Sequence, residues 1–502
     1  MPKPSSRAPR RGHRAPERGV AHALASGGIS FALALGAQAE PSAPATKPAA
    51  TAKTPAPQSG TPVAKPDTSS KRSPATLALE RFALTIQRRT LANGLRVVLA
   101  PEPSAPTVAV SVSYGVGSRH EPLGKSGFAH LFEHMMFQGS RHVQKGQHFS
   151  LISERGGTLN GTTNTDRTNY FEVLPSGELE LALWLESDRM RWLDVSAQNF
   201  ENQRAVVKEE FRMRIANAAY APASIRLSEL VFANYAPYAN PTIGKMEDLD
   251  RAELAWVRDF YEHHYAPNAA VLTIAGNFDV DQALDLVDRY FAPIPARTVE
   301  PFALPAEPPK AVPAREKVED TNAKTPGVYY AWLIPPSHTS EHYALELLAM
   351  LLGDGDSAKL YQELVRKRAL ALEARAYTRD FVGPDQFTVQ LVAADHAELG
   401  SLEKALDAEL DKVRKTPPTD AELERLKQRL RASFVFGLES TLSRAVELGE
   451  YELFWNDARN IARELEHYES VSAKDLTAAA QRYLTDERRV VVEIMPKART
   501  TP

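Results

Sequence analysis

A short apolar segment carries two histidines and a glutamate in the order H-x-x-E-H, as His130, Glu133 and His134. The residues around them, 126–139, are mostly apolar and bounded by glycines, which predicts a short buried helix. Positions i and i+4 of a helix lie one above the other, so both imidazoles can point at one site. Neutral imidazole is a common zinc ligand, and Glu133 can hold a water molecule and accept its proton. The spacing therefore predicts a metal site with hydrolytic chemistry.

The alternative interpretation is that these side chains only fill the core. A single histidine on an apolar helix is more often a packed residue with a satisfied ring than a ligand. Here the helix also buries a glutamate, and an ionised carboxylate without a partner is costly in apolar surroundings. A dication would remove that cost, which favours the metal site.

Composition limits what else could bind the metal. The chain has 502 residues and no cysteine, which excludes thiolate ligands, disulfides and a cysteine nucleophile. The ligands must then be histidines and carboxylates. The formal net charge of -3 argues against a nucleic-acid partner, and the length allows roughly two to four domains.

The N-terminus is typical of an export signal. Residues 1–39 begin with a basic region, continue with an Ala/Leu/Gly stretch and end in the cleavage pattern A-x-A at residues 37–39. A disordered basic tail and an uncleaved membrane anchor are the alternatives. Residues 40–76 are rich in Pro and Ala, which predicts a disordered tether. No later segment is apolar over the length of a bilayer, so we expect the mature protein to be periplasmic or secreted, without a membrane span.

The remaining chain reads as two structural repeats of about 200 residues each. We predict an α+β fold with two homologous α/β-sandwich repeats. A zinc-binding domain covers 77–293, a proline-rich linker 294–320 and a second domain 321–497. The second domain is expected to be inactive, because its matching helix at 343–352 has no histidine pair.

The hydrophobic pattern also predicts individual elements. In the first repeat these are a hairpin over 89–100 with an Asn93-Gly94 turn, strands at 107–114, 158–163, 168–174 and 269–275, and helices at 147–155, 177–193, 197–215, 256–265 and 280–291. In the second they are strands at 327–334 and 489–494, two strands within 374–393, and helices at 343–352, 397–414, 419–438 and 474–483.

A catalytic zinc needs a third protein ligand. The helix predicted over 197–215 offers Glu201, Glu209 and Glu210. The residues alone do not choose among them, and all three could be solvated acids on an exposed helix face.

Several further motifs resemble the pitrilysin-type M16 metallopeptidases, especially the bacterial relatives of mitochondrial processing peptidase. The matching segments are GFAHLFEHMMFQGS at 127–140, GGTLNGTT at 156–163, DRTNYF at 166–171, LESDRM at 185–190, NQRAVVKEE at 202–210 and PTIG at 241–244. The resemblance extends over about residues 80–497. It implies that the third ligand is Glu210, which lies 76 residues after His134. Family members often carry an acid seven residues before that ligand, where this chain has Gln203.

The resemblance also implies the assembly. Two such repeats form half of a clam-shell, so a second subunit, either another copy or a second M16-like chain, should supply the other half. It further implies that an arginine and a tyrosine seven residues apart reach the substrate, here Arg444 and Tyr451. Ordinary helix-surface residues are the alternative for this pair.

Together these observations predict a zinc endopeptidase with one Zn²⁺ per chain, held by His130, His134 and Glu210. Glu133 would be the general base, and the substrate would be a peptide or an unfolded polypeptide. The edge of the strand at Asn160, Gly161 and Thr162 could bind substrate backbone by strand addition. The alternatives are a non-catalytic assembly or chaperone-like subunit of the same fold, and a module that uses zinc structurally.

Overall fold

The computed structural model of the chain describes residues 29–30, 84–299, 303–305 and 307–497. Apart from 29–30, the predicted signal peptide and tether lie outside the described residues. The strands are β1 (Ile29–Ser30), β2 (Gln87–Thr90), β3 (Arg96–Pro101), β4 (Thr107–Tyr114), β5 (Thr158–Thr163), β6 (Thr168–Pro175), β7 (Ala270–Gly276), β8 (Ala314–Asp320), β9 (Gly327–Ile334), β10 (Ala371–Tyr377), β11 (Asp385–Ala393) and β12 (Arg489–Pro496).

The helices divide between the two halves of the chain. In the first half they are α1 (Phe128–Met135), α2 (Gln147–Ser153), α3 (Leu179–Trp192), α4 (Ala197–Phe211), α5 (Ala221–Val231), α6 (Met246–Arg251), α7 (Leu254–His264) and α8 (Val280–Phe291). In the second they are α9 (Ser340–Gly353), α10 (Leu399–Lys415), α11 (Asp420–Glu439), α12 (Thr441–Trp455), α13 (Glu464–Ser470) and α14 (Ala473–Tyr483). Each half also has one π-helical segment, Arg212–Ala216 in the first and Tyr361–Lys367 in the second.

The first sheet has seven strands in the order β1-β5-β6-β4-β7-β3-β2. Strands β4, β5 and β6 run antiparallel to their neighbours, whereas β3 and β7 run parallel to each other. The central strands β4 and β7 are buried along nearly their whole length and rich in β-branched residues, as strands covered on both faces require. One face packs against α1, α3 and α8 in a core that includes Leu99, Val110 and Ile274.

The second sheet has five strands in the order β10-β11-β9-β12-β8. Helices α9, α10 and α14 pack on it, which repeats the plan of the first half. Both halves therefore have the α+β architecture that the sequence predicts. The linker predicted over 294–320 is shorter, because 314–320 forms the strand β8, which pairs in parallel with β12.

The two halves are joined by an exchange of helices. Helix α12, from the second half, packs on β4 and β7 of the first sheet, and helix α5, from the first half, packs on β9 and β12 of the second. At the first contact, Gly449 lies so close to the sheet that a Cβ atom there would be 3.0 Å from Oγ1 of Thr273. Each sheet is thus covered on one face by a helix from the other half.

Within the described residues, no helix combines the length and the apolar character that a membrane crossing needs.

Candidate metal centre

Helix α1 carries the histidine pair and is buried throughout. Its N-terminus is held by a buried carboxylate, because Glu121 accepts hydrogen bonds from the backbone N–H of Gly127 at 2.9 Å and of Ala129 at 2.8 Å. A carboxylate is favourable there, since the first N–H groups of a helix lack partners within the helix. Gly127 has φ +87°, and a Cβ atom at this position would lie 2.9 Å from Cα of Gly244. The entry to α1 therefore needs glycine.

The two histidines and Glu210 meet in the interior. Nε2 of His134 lies 3.2 Å and Nε2 of His130 lies 3.7 Å from Oε2 of Glu210, which α4 carries. All three side chains are buried. Ligand atoms around a tetrahedral zinc ion, at their usual bond lengths, are about 3.4 Å apart. The observed separations match that value.

The protonation states of His130 and Glu210 also fit a bound cation. Burial lowers the pKa of His130 to about 3, with the His134 ring contributing, so this imidazole is neutral and keeps a lone pair. Both ring nitrogens of His130 are buried without a hydrogen-bond partner in the described structure. Burial opposes the ionisation of Glu210, but the hydrogen bond with His134 and the nearby charges lower its pKa overall. A neutral donor and an ionised acid are what zinc requires.

The three glutamates of α4 that could be the third ligand differ in their exposure. Glu209 is exposed and pairs with Arg212 at 2.9 Å, and Glu201 pairs with Arg204 on the surface. Glu210 instead turns inward, and its Oε1 lies 3.0 Å from Nη1 of Arg214. The structure thus brings Glu210, and neither of the other two acids, to the histidine pair.

Glu133 is fully buried beside these residues. Burial raises its pKa to about 8, against the opposing effect of a hydrogen bond from Oγ1 of Thr163 to its Oε2 at 2.5 Å. A carboxyl group with a pKa near neutrality can both accept and release a proton. Gly161 makes room for it, because a Cβ atom there would be 3.0 Å from Cγ of Glu133.

The strand beside Glu133 is the one expected to hold substrate. Asn160, Gly161 and Thr162 lie on β5, whose inner edge pairs with β6. Its outer edge takes the two-residue strand β1, with Ile29 opposite Thr163 and Ser30 opposite Thr162. This edge can therefore accept a further antiparallel strand. The sequence motifs included Thr163 but did not reveal its bond to Glu133.

Arg444 and Tyr451 lie on α12 and are both buried. Nε and Nη2 of Arg444 donate to the carbonyl oxygen of Leu438 at 3.1 and 3.0 Å. Tyr451 hydrogen-bonds to Glu464 and lines a small cavity of the second half. Their contacts within this chain are thus structural, and a role toward substrate stays a prediction. Gln203 is buried on α4, the helix that carries Glu210.

A second buried group has side chains that could bind a metal, and it is formed by His148, Glu172 and Glu186. Arg189 lies between the two carboxylates, with Nε 3.0 Å from Oε2 of Glu186 and Nη2 3.4 Å from Oε1 of Glu172. The guanidinium supplies the positive charge that these acids need. This group is a buried ion-pair network and does not fit a metal.

Comparison with known proteins identifies the family of this chain. Residues 96–237 match the family model for insulinase (peptidase family M16), and residues 252–430 match the model for the peptidase M16 inactive domain. A zinc protease, PqqE, of Helicobacter pylori is 29% identical over 81% of this chain and 92% of its own length. An uncharacterized zinc protease of Mycobacterium tuberculosis is 30% identical over 83% of this chain and 94% of its own.

Solved structures show the same architecture. A protease from Helicobacter pylori has a TM-score of 0.78 at 28% identity, over 82% of this chain and all of that one. A peptidase M16 inactive domain from Pseudomonas fluorescens has a TM-score of 0.74 at 18% identity, over 84% of this chain and all of that one, and shows the fold alone. The chain belongs to the M16 family, and its fold is that of an M16 clam-shell half.

Proposed function

We propose that this chain is a zinc-dependent endopeptidase that hydrolyses peptides or unfolded polypeptides. The observation that carries the proposal is the convergence of buried His130, His134 and Glu210 at tetrahedral ligand spacing, next to a buried Glu133. The match to the model named for an inactive domain covers 252–430. It lies outside the segment that carries these four residues.

Each residue has a distinct task in the proposed reaction. His130, His134 and Glu210 hold the zinc ion, which when bound polarises a carbonyl and lowers the pKa of water. The Glu133 carboxylate takes a proton from the attacking water and passes it to the leaving amine. Oγ1 of Thr163 orients Glu133 by its hydrogen bond.

The proposed substrate follows from the outer edge of β5, which among the described residues pairs only with the two-residue strand β1. An extended chain can add to Asn160, Gly161 and Thr162 through backbone hydrogen bonds, which do not depend on side-chain identity. The pairing of β1 with this edge supports that role. Folded substrates are disfavoured, because their backbone groups are already paired.

We also propose the assembly and location. A second chain, identical or M16-like, would face this half across the cleft, where Arg444 and Tyr451 of one chain would serve the site of the other. The basic N-terminus with its A-x-A pattern supports export to the periplasm or outside the cell.

Removal and return of zinc tests the activity. The purified protein is stripped with a chelator, dialysed and assayed on an unstructured peptide, with mass spectrometry locating the cleaved bonds. We expect internal cleavage that disappears on stripping and returns with one equivalent of Zn²⁺ per chain. A non-catalytic assembly subunit would show no hydrolysis at any zinc level.

A further inference from the structure

The turn that ends the proposed substrate strand is held by the second half of the molecule. This turn, residues 164–167, connects β5 to β6. Oδ2 of Asp166 accepts a hydrogen bond from the backbone N–H of Val382 at 3.0 Å, and Nε of Arg167 lies 2.7 Å from Oε1 of Glu450. Both partners belong to the second half, and Glu450 lies on the exchanged helix α12.

Arg167 links that helix to the edge strand. Its side chain is 4% exposed, and Nη1 donates to the carbonyl oxygen of Thr162 at 3.1 Å and also to Oγ1 of Thr162. The next residue, Thr163, donates to Glu133. A single guanidinium thus links Glu450 to Thr162, the residue before the threonine that bonds Glu133.

The carboxylate of Glu450 orients the guanidinium of Arg167. A guanidinium has its donors in a fixed planar fork, so a carboxylate on Nε sets where the remaining N–H groups point. It also compensates a buried cation, which would otherwise be costly. Loss of Glu450 would remove the acceptor that fixes Nε of Arg167 and would weaken its hold on Thr162.

We infer that Glu450, acting through Arg167, is a positioning residue for the substrate edge and for Glu133. The inference rests on the proposed peptidase function and assigns the second half a part in substrate binding. Strand β5 would keep its substrate-binding geometry only while α12 is docked on the first sheet.

The chain offers a matched control on the same helix. Glu452 is buried, whereas Glu450 is half-buried, and it likewise joins α12 to the first half, since it pairs with Arg88 of β2 at 2.6 Å. It accepts a further bond from the backbone N–H of Ala458 at 3.0 Å. Strand β2 lies at the opposite end of the sheet from β5. Loss of Glu452 should therefore weaken docking without loosening the edge strand.

The test compares Glu450→Ala and Glu450→Gln with Glu452→Ala and Glu452→Gln. In the Glu450→Ala protein we expect KM for an extended peptide to rise about tenfold with a smaller change in kcat, since binding geometry is what is lost. Zinc content should not change. Glu450→Gln keeps an acceptor for Arg167 and should shift KM in the same direction by less, so it carries the test if the alanine protein does not fold.

Hydrogen exchange of the backbone amides of 158–163 gives a second readout that needs no turnover. Exchange should be faster in the Glu450 variants than in the Glu452 variants. Equal effects of the two sets on KM and on exchange would overturn the inference and leave Glu450 with a structural role only. An inactive wild-type protein would contradict the proposed function, and the exchange comparison would still decide the inference.

Discussion

At the scale of single residues, the centre depends on which of two neighbouring glutamates faces the histidines. Glu210 is buried, and its Oε2 lies 3.2 Å from Nε2 of His134, whereas Glu209 is exposed and paired with Arg212. The two residues share one helix and one chemistry, and successive residues of a helix point in different directions. Only Glu210 can complete the ligand set.

Replacing each of these glutamates in turn tests the register. We expect Glu210→Gln to lose most of its zinc, because two imidazoles alone bind the ion weakly. Glu209→Gln should keep one zinc per chain and nearly normal stability, since exposed ion pairs contribute about 0–1 kcal/mol. Elemental analysis of the dialysed proteins measures both. Loss of zinc from the Glu209 variant instead would show that the ligand was misassigned.

At the scale of elements, the helix that replaces α1 in the second half also buries a histidine. His342 on α9 is 1% exposed, and its Nε2 lies 2.8 Å from Oδ2 of Asp385 on β11. Burial alone lowers the pKa of His342, but the hydrogen bond and charge of Asp385 outweigh it and raise the pKa to about 9. The second half thus has an ion pair on the helix that corresponds to α1, which carries the candidate metal ligands of the first half.

This pair predicts a pH dependence of stability. A raised histidine pKa stabilises fully below its unfolded value of about 6.5, and the gain disappears as pH rises through about 9. At pH 6, Asp385→Asn should lower the free energy of unfolding by about 3–5 kcal/mol, because it leaves a buried charge unpaired. Chemical denaturation from pH 6 to 10 should show the two proteins converging. A constant difference across that range would mean that His342 is not protonated.

Elements were predicted well where the local pattern decides them. Strands β5 and β9 and helix α8 have the predicted bounds, and the Asn93-Gly94 turn joins β2 to β3. The many prolines predict a linker over 294–320, but its last seven residues form strand β8. Its place is set by parallel pairing with β12, far away in sequence.

The candidate site was predicted in part for the same reason. Local spacing identified His130, Glu133 and His134, and family resemblance chose Glu210. The bond from Thr163 to Glu133 and the link from Glu450 to Arg167 join residues distant in sequence. No local pattern indicates which sheet α12 covers, so these contacts could be identified only from the three-dimensional fold.

At the scale of the whole molecule, the proposed assembly needs two chains to complete one site. Arg444 and Tyr451 contact their own chain, and neither hydrogen-bonds to the candidate ligands within the described structure. In the proposed assembly they would act across a dimer.

Mixed dimers test this arrangement. Chains carrying Glu133→Gln and chains carrying Tyr451→Phe should each be nearly inactive, and mixing them should restore part of the activity. One of the two composite sites then has both residues intact. A tyrosine hydroxyl at a developing oxyanion is typically worth about a hundredfold in rate or more. Proven subunit exchange without recovery would confine Tyr451 to a structural role or to its own chain's site.

The most direct measurement of the central claim combines zinc content and peptidase activity in the Glu133→Gln protein. Glu133 is the proposed base and not a ligand, so we expect one zinc per chain, an unchanged melting temperature and turnover reduced by about 10²–10⁴. The variant and the wild-type protein are purified in the same way, so loss of activity in the variant excludes a contaminating protease as the source of the wild-type activity. Undiminished hydrolysis by a zinc-loaded Glu133→Gln protein would contradict the account.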